Sequence, residues 1–276
     1  MVVMVSELLP SSRPDLLGDA NKLDWGELMK EALEMPGQRG NTYNRFYTYS
    51  FLNQLALSMQ GVAEPVATYK RWQEMDRQVL KGSKAKAILR PVMFSKENEF
   101  GIKEQRIGGF KWVRCLFTLS ETEGEDLPPY EPPEWSRARA LASLAIQEIP
   151  YTNIVGNVQG YSTNREFAVN PIAAYPLKTT IHELGHIVLK HTVAEPEART
   201  ANHVGIGEFQ AEATAYLTMN ELGARDQMDP AESRAYIQTW LGKDRPDDSQ
   251  MRAVFTATDQ ILKAGRSAPK DEPESE

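Results

Sequence analysis

The chain has 276 residues, 41% of them hydrophobic, and a formal net charge of −7 at pH 7. This length exceeds the roughly 100 to 200 residues of one domain, so it predicts two domains with packed cores and excludes a wholly disordered chain. The single cysteine, Cys115, excludes an internal disulfide bond, and no apolar run approaches the roughly 18 residues of a membrane span. The first residues lack a signal-peptide pattern, so we expect a cytoplasmic protein with no membrane partner.

The N-terminal part of the chain, residues 15–120, is predicted to form the first domain. It begins with three predicted helices, near 20–35, 43–59 and 69–77. A turn at Gly82 follows, and then two runs rich in β-branched and aromatic residues, Ala85–Phe94 and Phe110–Leu119. A polar segment with two glycines separates these runs, so they predict a long hairpin.

The second half of the chain begins after an acidic, proline-rich segment, 121–133, which we expect to resist both helix and strand and to act as a linker. The second domain is predicted over 134–265, and the tail, 266–276, is predicted to be disordered. Besides two helices that carry the motifs described below, the expected elements are a helix at about 134–149, an edge strand at Phe167–Val169, and helices near 230–242 and 247–264.

Charge is distributed unevenly between these parts. Residues 39–117 contain 14 Lys and Arg against 6 Asp and Glu, whereas the rest of the chain contains 17 against 32. Cations alternate with aromatic residues in the basic segment, and because phosphates need cations and unpaired bases need flat faces, this mixture suits single-stranded DNA. The predicted DNA contacts are Arg45, Tyr47, Lys70, Arg71, Trp72, Lys81, Lys84, Lys86 and Arg90. The alternative is that the aromatic residues are core and the lysines a solvated face.

The most informative motif, His182-Glu183-Leu184-Gly185-His186, has the pattern H-E-x-x-H. Pro176 and an apolar stripe predict a helix here. The two histidines then lie one turn apart on one face and can bind one Zn²⁺, while Glu183 can act as general base toward a water on that ion. The alternative is a solvated helix on which two histidines fall at this spacing by chance.

Three nearby positions refine this hypothesis. Gly185 costs up to about 1 kcal/mol relative to Ala inside a helix, which predicts that something approaches the helix backbone closely there. Leu189 and Thr192 stand where a metzincin needs Gly and His, so that class is excluded. His191 lies about 500° around an ideal helix from His186, so we expect it off the metal-facing side as a C-terminal cation.

A third protein ligand is expected on a second helix, in the segment 207–216. Glu208 and Glu212 are one turn apart there, and either could bind the metal; the alternative is that both face solvent. Peptide hydrolysis also needs a donor for the oxyanion, and Tyr216, His203 and Tyr175 are candidates that the sequence does not rank.

Five stretches resemble ArdC-type antirestriction proteins of conjugative plasmids and phages, over about Trp25 to Gly223. The stretches are YNRFYTYSFLNQLALSMQG, YKRWQEMDRQVLKGSKAKAILRP, CLFTLSETEGEDLP, HELGH and GEFQAEATAY. The resemblance implies an α+β fold with a helix-plus-hairpin, small-sheet domain that binds single-stranded DNA and a mainly helical, zincin-like metallopeptidase domain. It also implies a protein that acts in the cytoplasm of a bacterial host. The second helix is similar to that of gluzincins, which implies that Glu208 is a ligand and that Glu212 orients a ligand histidine.

These observations leave three functions open. The first is a zinc-dependent peptidase that also binds single-stranded DNA, with one Zn²⁺ or another divalent ion per chain and an unidentified protein substrate. The second is a DNA-shielding protein whose metal site is structural. The third is a repressor-cleaving metalloprotease whose basic domain binds protein. The intact Glu183 favours peptidase activity, because a structural zinc needs no general base.

Overall fold

The structure is a computed structural model that describes residues 24–34, 49–62, 64–97, 103–127, 134–152, 158–193, 201–243 and 246–266. These residues combine helices with small sheets, as expected for an α+β protein. They form two compact units. The first unit contains the described residues from 49 to 127, and the second contains 24–34 and the described residues from 134 onward.

The first described helix, α1 (Trp25–Glu34), belongs to the second compact unit, although its residues lie within the predicted N-terminal domain, 15–120. Its apolar face is buried, and the ring of Trp25 lies 6.1 Å from that of Phe255. The hydroxyl of Tyr216 donates to the carbonyl of Leu33 at 3.2 Å. The helix therefore completes the core of the second unit, a pairing across more than 180 residues that local sequence patterns do not reveal.

The first unit is built around a long antiparallel hairpin. Its elements are α2 (Phe51–Met59), β1 (Val66–Thr68), α3 (Tyr69–Glu74), β2 (Arg77–Val79), β3 (Lys86–Glu97), β4 (Lys103–Thr118) and β5 (Thr122–Gly124). Strands β3 and β4 pair as predicted and extend beyond the predicted ends, in a sheet of order β1-β4-β3. Gly82 lies in a turn with φ +95°, also as predicted. Residues 43–48, the start of the second predicted helix, lie outside the described residues.

The predicted linker starts later than expected, because Thr122–Gly124 forms β5 and pairs with β2. Arg77 explains this strand in an acidic segment. Its guanidinium donates to the side-chain oxygen and the carbonyl of Thr122 and to the carbonyls of Gly124 and Glu125. One partly exposed cation thus satisfies several acceptors at the start of the acidic segment.

Two amide side chains of α2 cover the outer edge of β3. Asn53 accepts from the backbone N–H of Leu89 at 2.7 Å and donates to its carbonyl at 3.0 Å. Gln60 makes the same pair of bonds with Ala87, both at 2.8 Å. These bonds replace a neighbouring strand, since an uncovered edge offers unpaired N–H and C=O groups to other chains.

The second unit places a small sheet and five helices around α1. Its further elements are α4 (Arg137–Leu144), β6 (Gln147–Glu148), β7 (Gly160–Thr163), β8 (Glu166–Val169), α5 (Pro176–Val188), α6 (Ala201–Glu221), α7 (Pro230–Lys243) and α8 (Asp248–Gly265). The last two helices lie where they were predicted. The helix predicted to reach residue 149 ends at Leu144, because Ala145 adopts a left-handed conformation.

Strand β8, predicted as an edge strand, is instead the central strand of the order β6-β8-β7. It pairs in parallel with β6 and antiparallel with β7, and Phe167 and Ala168 are fully buried. A four-residue strand carries too little periodicity to reveal this position. None of the described helices is both long and apolar enough to cross a bilayer.

We predict that Asn53→Leu destabilises the first unit by about 1 to 3 kcal/mol, because it leaves the N–H and C=O of Leu89 without partners. Hydrogen exchange followed by mass spectrometry should show faster exchange across β3, and urea unfolding should show the loss of stability. Asn53→Asp keeps the acceptor for the N–H of Leu89 but loses the donor, so we expect its stability to lie between those of the wild type and Asn53→Leu. Unchanged exchange in β3 for Asn53→Leu would contradict this account of the strand edge.

Candidate metal centre and basic surface

The metal-motif helix, α5, begins at Pro176 and packs against α6 at Gly185. A Cβ atom on Gly185 would lie 3.2 Å from the Cα of Ala211 and 3.4 Å from its carbonyl oxygen. The expected close backbone approach is therefore present. It brings the two helices together at the level of the motif, so that side chains on both sides of the contact meet.

Three ligand-type side chains meet there. The Nε2 atoms of His182 and His186 are 3.1 Å apart, and they lie 3.3 and 3.4 Å from the two carboxylate oxygens of Glu208. These donor atoms all lie within 4.8 Å of one another. Atoms about 2.0 to 2.1 Å from a tetrahedral ion are separated by about 3.3 Å, so the spacing fits one small divalent ion.

Glu212 lies beside this group and contacts the other side of a histidine ring. Its carboxylate is 3.1 Å from Nδ1 of His182 and 2.8 Å from Nζ of Lys178. A carboxylate that accepts from Nδ1–H leaves the Nε2 lone pair of His182 directed toward Glu208 and His186. The structure thus places Glu208 among the ligand atoms and Glu212 behind His182.

The charges of the group shift its protonation equilibria. Burial disfavours the charged form of His182, but the hydrogen bonds that His182 donates to Glu208 and Glu212 outweigh it and raise the pKa of His182 to about 9. Hydrogen bonds from His182 and His186 lower the pKa of Glu208. Burial raises the pKa of Glu212, but His182 and Lys178 outweigh it and lower that pKa to about 2. The two carboxylates thus favour the protonated form of His182, whereas its neutral form, with Nδ1–H toward Glu212, is the one that could bind a metal.

Glu183 is buried and held by β7, the outer strand of the small sheet. The hydroxyl of Ser162 donates to its carboxylate at 2.7 Å. A Cβ atom on Gly160 would lie 3.0 Å from the other oxygen of Glu183 and 2.7 Å from Thr179, so only glycine fits there without displacement. The sequence analysis did not identify Ser162, because a lone serine outside a motif carries no signal.

His191 lies off the metal-facing side, as predicted, but it contacts His186 on the Nδ1 side of that ring instead of only ending the helix. Its Nδ1 is 3.0 Å from Nδ1 of His186, and its Nε2 is 3.0 Å from the side-chain oxygen of Gln210. The prediction assumed an ideal helix through His191, but α5 ends at Val188 and Lys190 adopts φ +63°. The chain therefore reverses direction after α5 and brings the His191 ring next to Nδ1 of His186.

The candidates for oxyanion stabilisation have different outcomes. Tyr216 is fully buried in the core, where its hydroxyl bonds to Leu33 and Arg234, so its prediction as an oxyanion donor is wrong. Tyr175 lies at the N-terminus of α5 with its side chain partly exposed, and its role stays a prediction. The side chain of His203 lies outside the described residues.

The predicted DNA contacts divide into exposed cations and structural residues. Lys81, Lys84 and Arg90 are exposed. Lys70 is exposed and Arg71 partly buried, and both pair with Glu74. Lys86 forms a half-buried ion pair with Glu121 at 2.8 Å. Trp72 is fully buried and its indole N–H donates to the carbonyl of Phe117, so its prediction as a stacking residue is wrong. Arg45 and Tyr47 lie outside the described residues.

The β3–β4 hairpin carries exposed cationic and hydrophobic side chains that the sequence analysis did not group together. Lys111 lies directly opposite Arg90 in the strand register, and both are exposed. Further along the same hairpin, Val92, Met93 and Phe94 are exposed. Like charges opposite each other repel, so the face favours an anionic partner. Pairing Arg90 with Lys111 from the sequence requires the strand register. That register depends on two β-bulges, which the sequence does not reveal.

The geometry can be compared with known proteins. Residues 25–121 match the family model described as the N-terminal domain of anti-restriction factor ArdC. Two crystal structures of the antirestriction ArdC protein from the R388 plasmid, one metal-free and one Mn(II)-bound, align with 87% of this chain and with 94% and 95% of theirs. Each is 19% identical to this chain, with a TM-score of 0.49. No curated protein matches the chain.

We predict that the metal-free protein loses stability as the pH rises from about 6.5 to about 9. The pKa of His182 is raised in the folded state, so its contribution is fully present below the unfolded value and disappears as the pH passes the folded value. A difference of this size corresponds to about 3 kcal/mol. Thermal unfolding in EDTA measures it, and His182→Gln, which does not titrate, should flatten the curve. A wild-type midpoint that is constant over this range would contradict the prediction.

Proposed function

We propose, from the match of residues 25–121 to the N-terminal domain of anti-restriction factor ArdC, that the protein is an antirestriction protein that binds single-stranded DNA and hydrolyses peptide bonds at a divalent metal centre. The observation that carries the hydrolase proposal is the convergence of His182, His186 and Glu208 beside the buried carboxylate of Glu183.

The three donors suit zinc. Two imidazole nitrogens and one carboxylate oxygen form a three-ligand set that leaves a fourth position open, as in catalytic rather than structural zinc sites. Imidazole also accepts other first-row divalent ions, so manganese is a second candidate. A bound divalent ion supplies Lewis acidity, which polarises a carbonyl group and lowers the pKa of water.

The side chains around the ion would do the remaining chemistry. Hydrolysis forms a bond between the water oxygen and the carbonyl carbon and breaks the C–N bond. Glu183 would take a proton from the water and pass it to the departing nitrogen, so that acid and amine are released. Ser162 holds the carboxylate of Glu183 at 2.7 Å and fixes its orientation. This bond supports a catalytic site, because a purely structural centre gains nothing from an oriented base.

The proposed DNA-binding face is the exposed side of the hairpin. Arg90 and Lys111 supply adjacent positive charges, and Phe94 supplies an exposed ring on which a base can stack. Lys81 and Lys84 extend the positive charge into the turn that precedes β3. Stacking on such rings requires unpaired bases, so this face favours single strands over duplex DNA.

The first prediction concerns the metal. The wild-type protein should bind one Zn²⁺ per chain, and the double variant His182→Ala and His186→Ala should bind none. Inductively coupled plasma mass spectrometry of protein dialysed after loading with Zn²⁺ measures the stoichiometry, and a parallel sample is loaded with Mn²⁺. His203→Ala is the control, since it removes a histidine from outside the proposed ligand set. Equal metal content in wild type and the double variant would refute the site.

The second prediction separates catalysis from structure. Glu183→Gln should retain metal and fold but lose peptidase activity, because the amide cannot take a proton. Activity is sought by mass spectrometry of host proteins incubated with the protein, with and without single-stranded DNA. Cleavage by wild type but not by Glu183→Gln supports a peptidase. Loss of metal in this variant would make Glu183 a ligand, and cleavage that persists without this carboxylate would exclude it as the base.

The third prediction concerns DNA. For the full chain on single-stranded oligothymidylate, Arg90→Ala with Lys111→Ala should flatten the slope of log affinity against log salt by about 0.7 for each lost phosphate contact. Phe94→Ala should weaken binding by about 1 to 3 kcal/mol without changing the slope. Lys263→Ala, in the second unit, and Trp72→Phe, in the core, are controls that should leave affinity unchanged. Tighter binding of duplex than of single strands would contradict the proposed face.

A further inference from the structure

A chain of hydrogen bonds leads from the proposed metal centre to the backbone of α8. His186 contacts His191 through their Nδ1 atoms at 3.0 Å, and His191 contacts the side-chain oxygen of Gln210 through Nε2 at 3.0 Å. The amide nitrogen of Gln210 donates to the backbone carbonyl of Gln250 at 2.9 Å. Gln210 is buried, so its amide has little water to bond instead.

The last member of this chain fixes the direction of every bond. A backbone carbonyl can only accept, so Gln210 must present its NH₂ group to Gln250 and its oxygen to His191. His191 must then carry its proton on Nε2 and offer the lone pair of Nδ1. His186 must in turn carry its proton on Nδ1, which leaves the Nε2 lone pair free to bind a metal.

The backbone holds the two imidazoles in this arrangement. The N–H of His191 donates to the carbonyl of His186 at 2.9 Å, and that of Lys190 donates to the carbonyl of Ile187 at 3.1 Å. With Lys190 at φ +63°, these two bonds form a Schellman motif, which ends α5 and turns the chain back. His191 therefore reaches His186 through both backbone and side chain, so its ring has little freedom.

We propose that His191 is a positioning residue that, through Gln210 and Gln250, presets His186 in the tautomer that binds metal. The inference rests on the proposed metal centre, because binding a metal is what the tautomer would serve. Its test does not, because the directions of the hydrogen bonds follow from the protein alone. The two ligand histidines are thus oriented by different chemistry. A carboxylate, Glu212, accepts from His182, whereas a neutral imidazole accepts from His186.

The decisive experiment reads the tautomers in the metal-free protein. Long-range proton–nitrogen correlation spectra of ¹⁵N-labelled, EDTA-treated full-length protein at about pH 8, where free imidazole is neutral, distinguish Nδ1–H from Nε2–H. We expect the Nε2–H form for His191 and the Nδ1–H form for His186. His191→Asn identifies the His191 signals by their absence. The Nδ1–H form, or averaging between both forms, at His191 would overturn the proposal.

Zinc affinity, measured by competition with a chromophoric chelator, tests the consequence. His191→Phe keeps a ring but offers no acceptor, and it should weaken binding by about 10- to 100-fold. His191→Asn can place its oxygen near the position of Nδ1 and should restore most of the affinity. Lys190→Gly is the matched control, since glycine adopts the left-handed conformation more easily and leaves His191 in place. Melting curves of the metal-free variants show whether each one folds.

The outcomes separate the inference from the proposed function. If the tautomers are as expected but wild type binds no stoichiometric metal, the metal centre is refuted and the preset of His186 stands. If wild type binds zinc and His191→Phe binds it equally well while folded, the positioning role is refuted and the metal centre stands. Equal weakening by the Phe and Asn variants would also overturn the proposal, because it would show that the ring itself matters rather than its acceptor.

Discussion

The close approach of α5 and α6 is the constraint on which the candidate site depends. Because Gly185 has no Cβ atom, the backbone at Ala211 can approach it closely; a Cβ atom there would lie only 3.2 Å from the Cα of Ala211. His182 and Glu208 each precede this contact by three residues, which is about one helical turn. Because both side chains start within about one turn of this contact, short reaches bring an imidazole and a carboxylate together. A larger residue at the contact would separate the helices and, with them, the donor atoms.

The ligand positions were predictable because they depend on local periodicity. A spacing of four places His182 and His186 on one face whatever the rest of the fold does, and Gly185 in a helix already indicated a close neighbour. The position of His191 depends on where the helix stops. Lysine at a left-handed position gives no sequence signal of the kind that glycine gives, so an extrapolated helix did not reveal the contact of His191 with His186.

Long-range packing accounts for the other differences. Trp72 and Tyr216 look like ligand-contacting aromatics in sequence, yet both are fully buried, and each uses its polar atom to bond a distant backbone carbonyl. The same holds for α1, whose apolar face suits any core but belongs to that of the second unit. The periodicity of apolar residues predicts that one face of a helix is buried, but it does not predict which other element that face packs against. Among the described residues, 24–34 consequently belong to the second unit, 49–127 to the first, and those from 134 onward to the second again.

Charge balance gives the neutral partner of His186 a physical reason. The carboxylates of Glu183, Glu208 and Glu212 carry three negative charges, and Lys178 offsets one of them through its contact with Glu212. Two negative charges then remain, which a divalent ion neutralises. A carboxylate in place of His191 would orient the ligand equally well but would leave the loaded centre negative and a weaker Lewis acid. In the proposed centre, a neutral imidazole at His191, held by Gln210 and the backbone of Gln250, would orient His186 without adding charge to the metal.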